Sequence, residues 1–157
     1  MTTTTSNKIN KPVLKVGSKG EAVKELQKLL FNHYFPSPNE AIDGVFGPKT
    51  EDAVRRFQIR MFLLEDGVVG NKTWQALYKG APVDMPVLKV GSTGGFVQRI
   101  QDRLQANSSY GVTGGPEAFN GIFDSETEKS VKELQKNAGL AVDGIVGDCT
   151  WFELSKM

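Results

Sequence analysis

The chain has 157 residues, with 19 Lys and Arg against 18 Asp and Glu, a net charge of +1 and 39% apolar residues. That length suits one ordinary domain or two small ones, and the apolar share is too high for wholesale disorder. The balanced charge gives no basic field to hold nucleic acid, and no run of about 18 apolar residues is present to span a membrane. One cysteine, Cys149, makes no internal disulfide, and one histidine, His33, builds no multi-histidine metal site. These counts exclude most zinc hydrolases, Cys/His proteases and Ser/His/Asp hydrolases with independent sites.

Residues 1–11 open with Met1-Thr-Thr-Thr-Thr-Ser-Asn-Lys8. They are polar, lack the apolar stretch of a secretory signal and read as a disordered lead-in. A repeat then organises everything that follows. Pro12-Val-Leu-Lys-Val-Gly-Ser18 recurs letter for letter at residues 86–92, and residues 12–30 match 86–104 at 11 of 19 positions. After a slip of three residues, 42–77 match 119–154 at 14 of 36 positions, including Gly44/Gly121, Phe46/Phe123, Gln58/Gln135 and Trp74/Trp151. The extra residues fall in the Gly- and Ser-rich stretch 108–118, which reads as a loop. Repeats therefore occupy 12–79 and 86–157, each near the lower size limit for an independent core. Gly and Pro mark 80–85 as the linker.

In each repeat the first helix is expected to start at a capping box, Ser18-Lys-Gly-Glu21, with Ser18 as the cap. Val23, Leu26, Leu29 and Leu30 follow at helical spacing, and Pro36-Ser-Pro38 stops the helix. The second copy places Val97, Ile100 and Leu104 equivalently, with Gly95 weakening the box and Arg103 replacing Leu29. A second helix is expected near Pro48, where the missing N–H costs nothing, with Asp124 the better cap in the second copy. Ala53, Val54 and Phe57, or Val131 and Leu134, give its apolar stripe. A short third helix carries Trp74 and Leu77, or Trp151 and Leu154.

The loops before the second and third helices share the form Asp-Gly-x-φ-Gly, with φ apolar. They are Asp43-Gly-Val-Phe-Gly47, Asp66-Gly-Val-Val-Gly70 and Asp143-Gly-Ile-Val-Gly147, with the variant Asn120-Gly-Ile-Phe-Asp124. Asp or Asn before Gly favours a tight turn with positive φ at Gly, and the Asp oxygen accepts backbone N–H groups within it. The apolar residue then inserts between helices. The fold class is all-α: two tandem three-helix modules joined by a short linker.

These motifs, taken in order and found twice, resemble the peptidoglycan-binding domain 1 family. They are Leu14 to Gln27, Asp43 to Thr50, Ala53 to Gln58 and Asp66 to Trp74, then Leu88 to Gln101, Gly121 to Gln135 and Gly139 to Trp151. The resemblance covers nearly everything after residue 11. It implies a non-catalytic three-helix module that binds bacterial cell-wall polymer and commonly accompanies a hydrolase, amidase or carboxypeptidase domain. Two departures stand out: Phe62 where the second copy has the helix-ending Gly139, and Asn120 with Asp124 in the second Asp-Gly loop.

Candidate chemistry is weighed against plainer roles. Asp43, Asp66 and Asp143 each precede Gly, so turn capping explains them without a glycosidase carboxylate pair. Glu51 and Glu128 sit where a helix dipole favours negative charge. His33 reads as a half-exposed helix-end residue and Cys149 as an incidental thiol. Asn71-Lys-Thr and Asn107-Ser-Ser read as accidental glycosylation sequons. Trp74 and Trp151 are read as core before sugar platforms. Gln58 and Gln135 are polar, repeated and follow a core residue, which suits hydrogen bonding to a stem peptide or N-acetyl group, or else to a loop carbonyl. Arg55 and Lys132 suit stem-peptide carboxylates, although solvation is the commoner fate. Residues 1–80 carry +4 and residues 81–157 carry −3. Drift between solvated surfaces is the preferred account, with attraction between halves or different ligand preferences as the sharper one.

The expected ligand site is a shallow groove by the Asp-Gly loops and second helix. It uses Asp43, Gly44, Phe46 and Gln58 in the first copy and Asn120, Gly121, Phe123 and Gln135 in the second. No cofactor, metal or nucleic acid is called for, and a monomer is expected. The partner is peptidoglycan, glycan or stem peptide, with a cell-wall hydrolase as a second partner. The expected location is the cell wall, periplasm or extracellular space if exported, with the cytoplasm left open because no secretory signal is visible. Alternatives are a protein-interaction adaptor on the same scaffold, or the targeting part of a cell-wall hydrolase.

Overall fold

The structure is a computed structural model that describes residues 9–35, 42–106 and 120–157. The chain divides into two compact units at Val83 and Asp84. Helices α1 Glu21–Leu29, α2 Pro48–Arg60 and α3 Asn71–Lys79 build the first unit, and α4 Gly95–Ala106, α5 Ser125–Asn137 and α6 Asp148–Ser155 build the second. Regular structure among the described residues is all helical. None of these helices is long and apolar enough to cross a membrane.

In the first unit, Val23 and Leu26 from α1 and Leu30 just beyond it meet Val54 and Phe57 from α2, Met61 at its end, and Trp74 and Leu77 from α3. Phe46 and Val69, the apolar residues of the two Asp-Gly turns, plug the same core. The second unit buries Val97, Ile100, Leu104, Phe123, Val131, Leu134, Val146, Trp151 and Leu154. Both tryptophans are core residues, 0% and 1% exposed. Their indole N–H groups donate to the carbonyls of Pro12 (2.9 Å) and Pro86 (2.8 Å), so each ties the incoming chain to the third helix.

The segment before the first helix also pairs with the turns. Isolated antiparallel bridges join Leu14 to Val69 and Lys19 to Val45, then Leu88 to Val146 and Thr93 to Ile122. This pairing corrects the capping-box expectation. The Ser18 carbonyl accepts the Phe46 N–H, and its hydroxyl accepts the Lys15 N–H at 3.1 Å. Gly20, with φ +122°, becomes the residue before the helix, and Glu21 is its first residue. The first helix does not stop cleanly but continues as a π-helical turn, Leu30–Tyr34. Pro36-Ser-Pro38, the 108–118 loop and the Asn107 sequon fall outside the described residues, as does the His33 side chain.

Elsewhere the helix signals hold. Pro48 sits in the first turn of α2. The Asp124 carboxylate caps α5 by accepting the Thr127 N–H at 2.9 Å. Arg103 donates to the Leu154 carbonyl at 2.8 Å, so the polar replacement of Leu29 ties α4 to the end of α6. The lead-in expectation is corrected at its described end. Ile9 packs on the first core, its N–H donates to Asn71, and Lys11 pairs with Glu25, which also accepts from Tyr78. Val83, expected in the linker, is 8% exposed and belongs to the first core.

The Trp74→Phe change keeps an aromatic core residue but removes the tie to Pro12. It is expected to lower stability by about 1–3 kcal/mol, read as a lowered urea midpoint with an unchanged helical circular dichroism spectrum.

Candidate functional site

Four turns in the described chain are built on one plan. In the second turn of the first unit, Gln58 Oε1 accepts the Gly67 N–H at 3.0 Å. Its Nε2 donates to Asp66 Oδ1 (2.9 Å), the Val68 carbonyl (2.9 Å) and Thr73 Oγ1 (3.3 Å). Asp66 Oδ1 in turn accepts the Val68 N–H at 2.9 Å. Gln135 repeats this with Gly144, Asp143, Ile145 and Thr150, all at 2.9–3.2 Å.

The first turn of each unit has its own glutamine, which the sequence reading passed over. Gln27 holds Asp43, Gly44, Val45 and Thr50, and Gln101 holds Gly121, Ile122 and Thr127. The available signal was that Gln27 and Gln101 are themselves identical at matched positions. All four glutamines are 1% exposed. Among the described residues, every buried side-chain nitrogen and oxygen has a hydrogen-bond partner.

The expected site residues are thereby sorted. Gln58 faces Asp66, not Asp43, and its amide is spent on the turn's own backbone. Gln135 is spent in the same way. Gly44, Phe46, Gly121 and Phe123 are buried, while Asp43 and Asn120 are exposed at the turn corners. Asp43 Oδ1 accepts the Val45 N–H, and Asn120 Oδ1 accepts the Ile122 N–H, both at 2.9 Å. Arg55 pairs with Glu51 at 2.9 Å and donates to the Glu65 carbonyl at 3.1 Å, and Lys132 pairs with Glu128 at 2.9 Å. Of the turn glycines, Gly144 is the most tightly enclosed. Gly144 has φ +72°, and a Cβ there would stand 2.7 Å from Glu128 Cγ.

Beside the second turn of each unit lies an open groove. The first, about 460 Å³, is lined by Gln58, Leu63, Leu64, Asp66, Val68 and the start of α3 at Gly70, Asn71, Lys72 and Thr73. The second, about 300 Å³, is lined by Gln135, Leu140, Ala141, Asp143, Ile145 and the start of α6 at Gly147, Asp148, Cys149 and Thr150. These grooves occupy equivalent positions and have apolar floors with polar lips, the form usual for ligand sites. Sequence reasoning places the ligand groove at the first turns and does not name these walls, since nothing in the pattern marks Leu63 or Leu140 as groove-forming.

Both units match the family described as "Putative peptidoglycan binding domain", over residues 19–77 and 93–154. The chain belongs to this family. It is 31% identical over 174 residues to the N-acetylmuramoyl-L-alanine amidase CwlL of Bacillus licheniformis, covering 99% of this chain and 48% of that protein. It is 39% identical over 82 residues to a spore cortex-lytic enzyme of Bacillus cereus, covering 52% and 30%. It is 42% identical over 66 residues to the zinc D-Ala-D-Ala carboxypeptidase of Streptomyces albus G, covering 42% and 26%. The chain thus spans about half the length of the first relative and less of the other two.

Turn geometry also sets an acid response. The Val45 N–H first, then the Gln27 amide, hold the Asp43 carboxyl below its ordinary 3.8. The Ile145 N–H and then Gln135 do the same for Asp143. A carboxyl depressed in the folded state adds stability above its unfolded value, and that stability is lost as pH falls through the folded value. Urea midpoints are therefore expected to fall below about pH 4, and the double change Asp43→Asn/Asp143→Asn is expected to flatten that limb. Asn120 shows that an amide fits the turn. The Gln135→Ala change leaves the Gly144 N–H and Ile145 carbonyl without their partner. It is expected to cost about 2–4 kcal/mol, measured by equilibrium urea unfolding.

Proposed function

We propose that the protein is a non-catalytic binder of bacterial cell-wall peptidoglycan that uses both modules. The observation that carries this reading is the family match, made twice in one chain. The named functions of the relatives support the wall as the setting, since an amidase, a cortex-lytic enzyme and a D-Ala-D-Ala carboxypeptidase all act on wall material. The proposed role is to target or anchor, either directly or for a hydrolase, with the cell wall or extracellular space as the location.

In this reading the polymer lies along the Asp-Gly turns. Asp43 and Asn120 offer exposed polar groups, while Gly44 and Gly121, expected to admit the ligand to backbone, are buried with their N–H groups on Gln27 and Gln101 and serve the turn instead. Phe46, Phe123, Gln58 and Gln135 act from beneath by fixing the turns. The neighbouring grooves extend the contact with Leu63, Leu64, Leu140 and Ala141. Hydrolysis has no assigned residues in this proposal. Asp43, Asp66 and Asp143 accept turn N–H groups, and Glu51 and Glu128 are paired with cations. Two weak sites on one chain gain avidity when both reach one polymer.

The test is co-sedimentation with purified, protein-free sacculi. Saturable pelleting is expected, with no fall in the turbidity of the suspension. The Leu64→Asp change alters a side chain 75% exposed at the first groove. It is expected to weaken pelleting about three- to tenfold with thermal unfolding unchanged. A folded protein that stays in the supernatant overturns the reading and favours the protein-interaction adaptor.

A further inference from the structure

The two grooves are built alike where they are buried and differ where they meet solvent. Gln58 and Gln135, Asp66 and Asp143, Thr73 and Thr150, and Leu63 and Leu140 stand at matched places around them. Asp66 Oδ1 and Asp143 Oδ1 each accept an N–H of their own turn, so the shared aspartates do not tell the grooves apart. Leu64 against Ala141 and Val68 against Ile145 differ in size alone, and the charge difference lies in two adjacent lip residues at the start of the third helix of each unit. Asn71 and Lys72 line the first groove, and Asp148 and Cys149 line the second. All four are exposed. The exchange replaces one positive charge by one negative charge at the lip.

Resting on the wall-binding reading above, we infer that the two modules select opposite charges on the same polymer. The Lys72 lip takes a stem-peptide carboxylate, and the Asp148 lip takes the free ammonium of a stem peptide's uncrosslinked diamino residue. The chemistry of the ligand suits this division. A stem peptide presents small methyl and methylene groups beside both charges. The apolar floors accept the former, and each lip accepts one of the latter. An exposed ion pair changes affinity by up to about fivefold, which sorts sites without dominating binding. The effect is strongest at low ionic strength, where screening is weak.

The experiment uses the full chain and three forms of purified sacculi: untreated, acetylated on free amines, and amidated on free carboxylates. D148N/C149K gives the second lip the first lip's charge, and N71D/K72C does the reverse. E133K and K28E make equal charge changes at exposed positions outside the grooves and the Asp-Gly turns. Acetylation is expected to weaken the natural chain and E133K about three- to fivefold but to leave D148N/C149K unaffected. Amidation is expected to weaken the natural chain and K28E by a similar factor but to leave N71D/K72C unaffected. If a double variant is poorly folded by circular dichroism, D148N or K72C alone carries its arm. Groove variants that respond like the natural chain overturn the inference, as do control variants that shift as far as the groove variants. A folded natural chain that fails to pellet on any form overturns wall binding itself, and this inference with it.

Discussion

The buried glutamine amide is the interaction on which each module depends. A turn of five residues that enters a small helical core brings backbone N–H and C=O groups away from water, and these are costly when unpaired. One amide answers with both its functions. It accepts the glycine N–H, donates to the next carbonyl and reaches the threonine of the following helix. Because the same turn inserts Phe46, Val69, Phe123 or Val146 into the core, the amide also fixes the depth of that plug. Helix register, turn shape and core filling are then one cooperative choice. The neutral amide does this without the desolvation penalty of a buried charge.

Much of this was legible in the sequence, because it rests on local steric rules. The repeat, the Asp-Gly pairs and the proline at the start of α2 report backbone conformation directly. The site was less legible. A repeated polar residue after a core residue reads either as a ligand contact or as a partner for a loop carbonyl, and glutamine is seldom fully buried. What decides for the loop is the set of unpaired turn groups waiting for it, and this exists only after folding. The partner was also ambiguous. Gln58 lies eight residues before Asp66, a local pairing, while Gln27 lies 16 residues before Asp43 with the end of a helix between them. Ser18 failed for a related reason. Its spacing to Glu21 fits a capping box, but bridge pairing to the Phe46 turn claims its backbone first.

The two modules reach one geometry by different means. After α2 the chain turns through Phe62 at φ +58°, and after α5 through Gly139 at φ +72°. In both, the next N–H, of Leu63 or Leu140, donates to the backbone carbonyl of Gln58 or Gln135 at 2.8 Å. A phenylalanine pays about 1–2 kcal/mol for that left-handed conformation, and burial of its ring to 5% exposure offsets the strain. Likewise Gly47 leaves the start of α2 without a side-chain cap, while Asp124 caps α5. Such exchanges show that the backbone, rather than any single side chain, is what the duplicated pattern preserves.

The residue after each Asp-Gly pair has a peculiar freedom. Val45, Val68, Ile122 and Ile145 are held by their backbone alone, the N–H by the Asp or Asn oxygen and the carbonyl by the glutamine. Their side chains stand partly or fully in solvent. Each turn is thus a rigid pedestal, and at Val45 and Ile122, which line neither groove, its top is chemically uncommitted. A lineage, or an engineer, is able to swap these two side chains for others compatible with the turn while leaving the clamp intact. The scaffold separates what must stay constant from what is free to be rewritten.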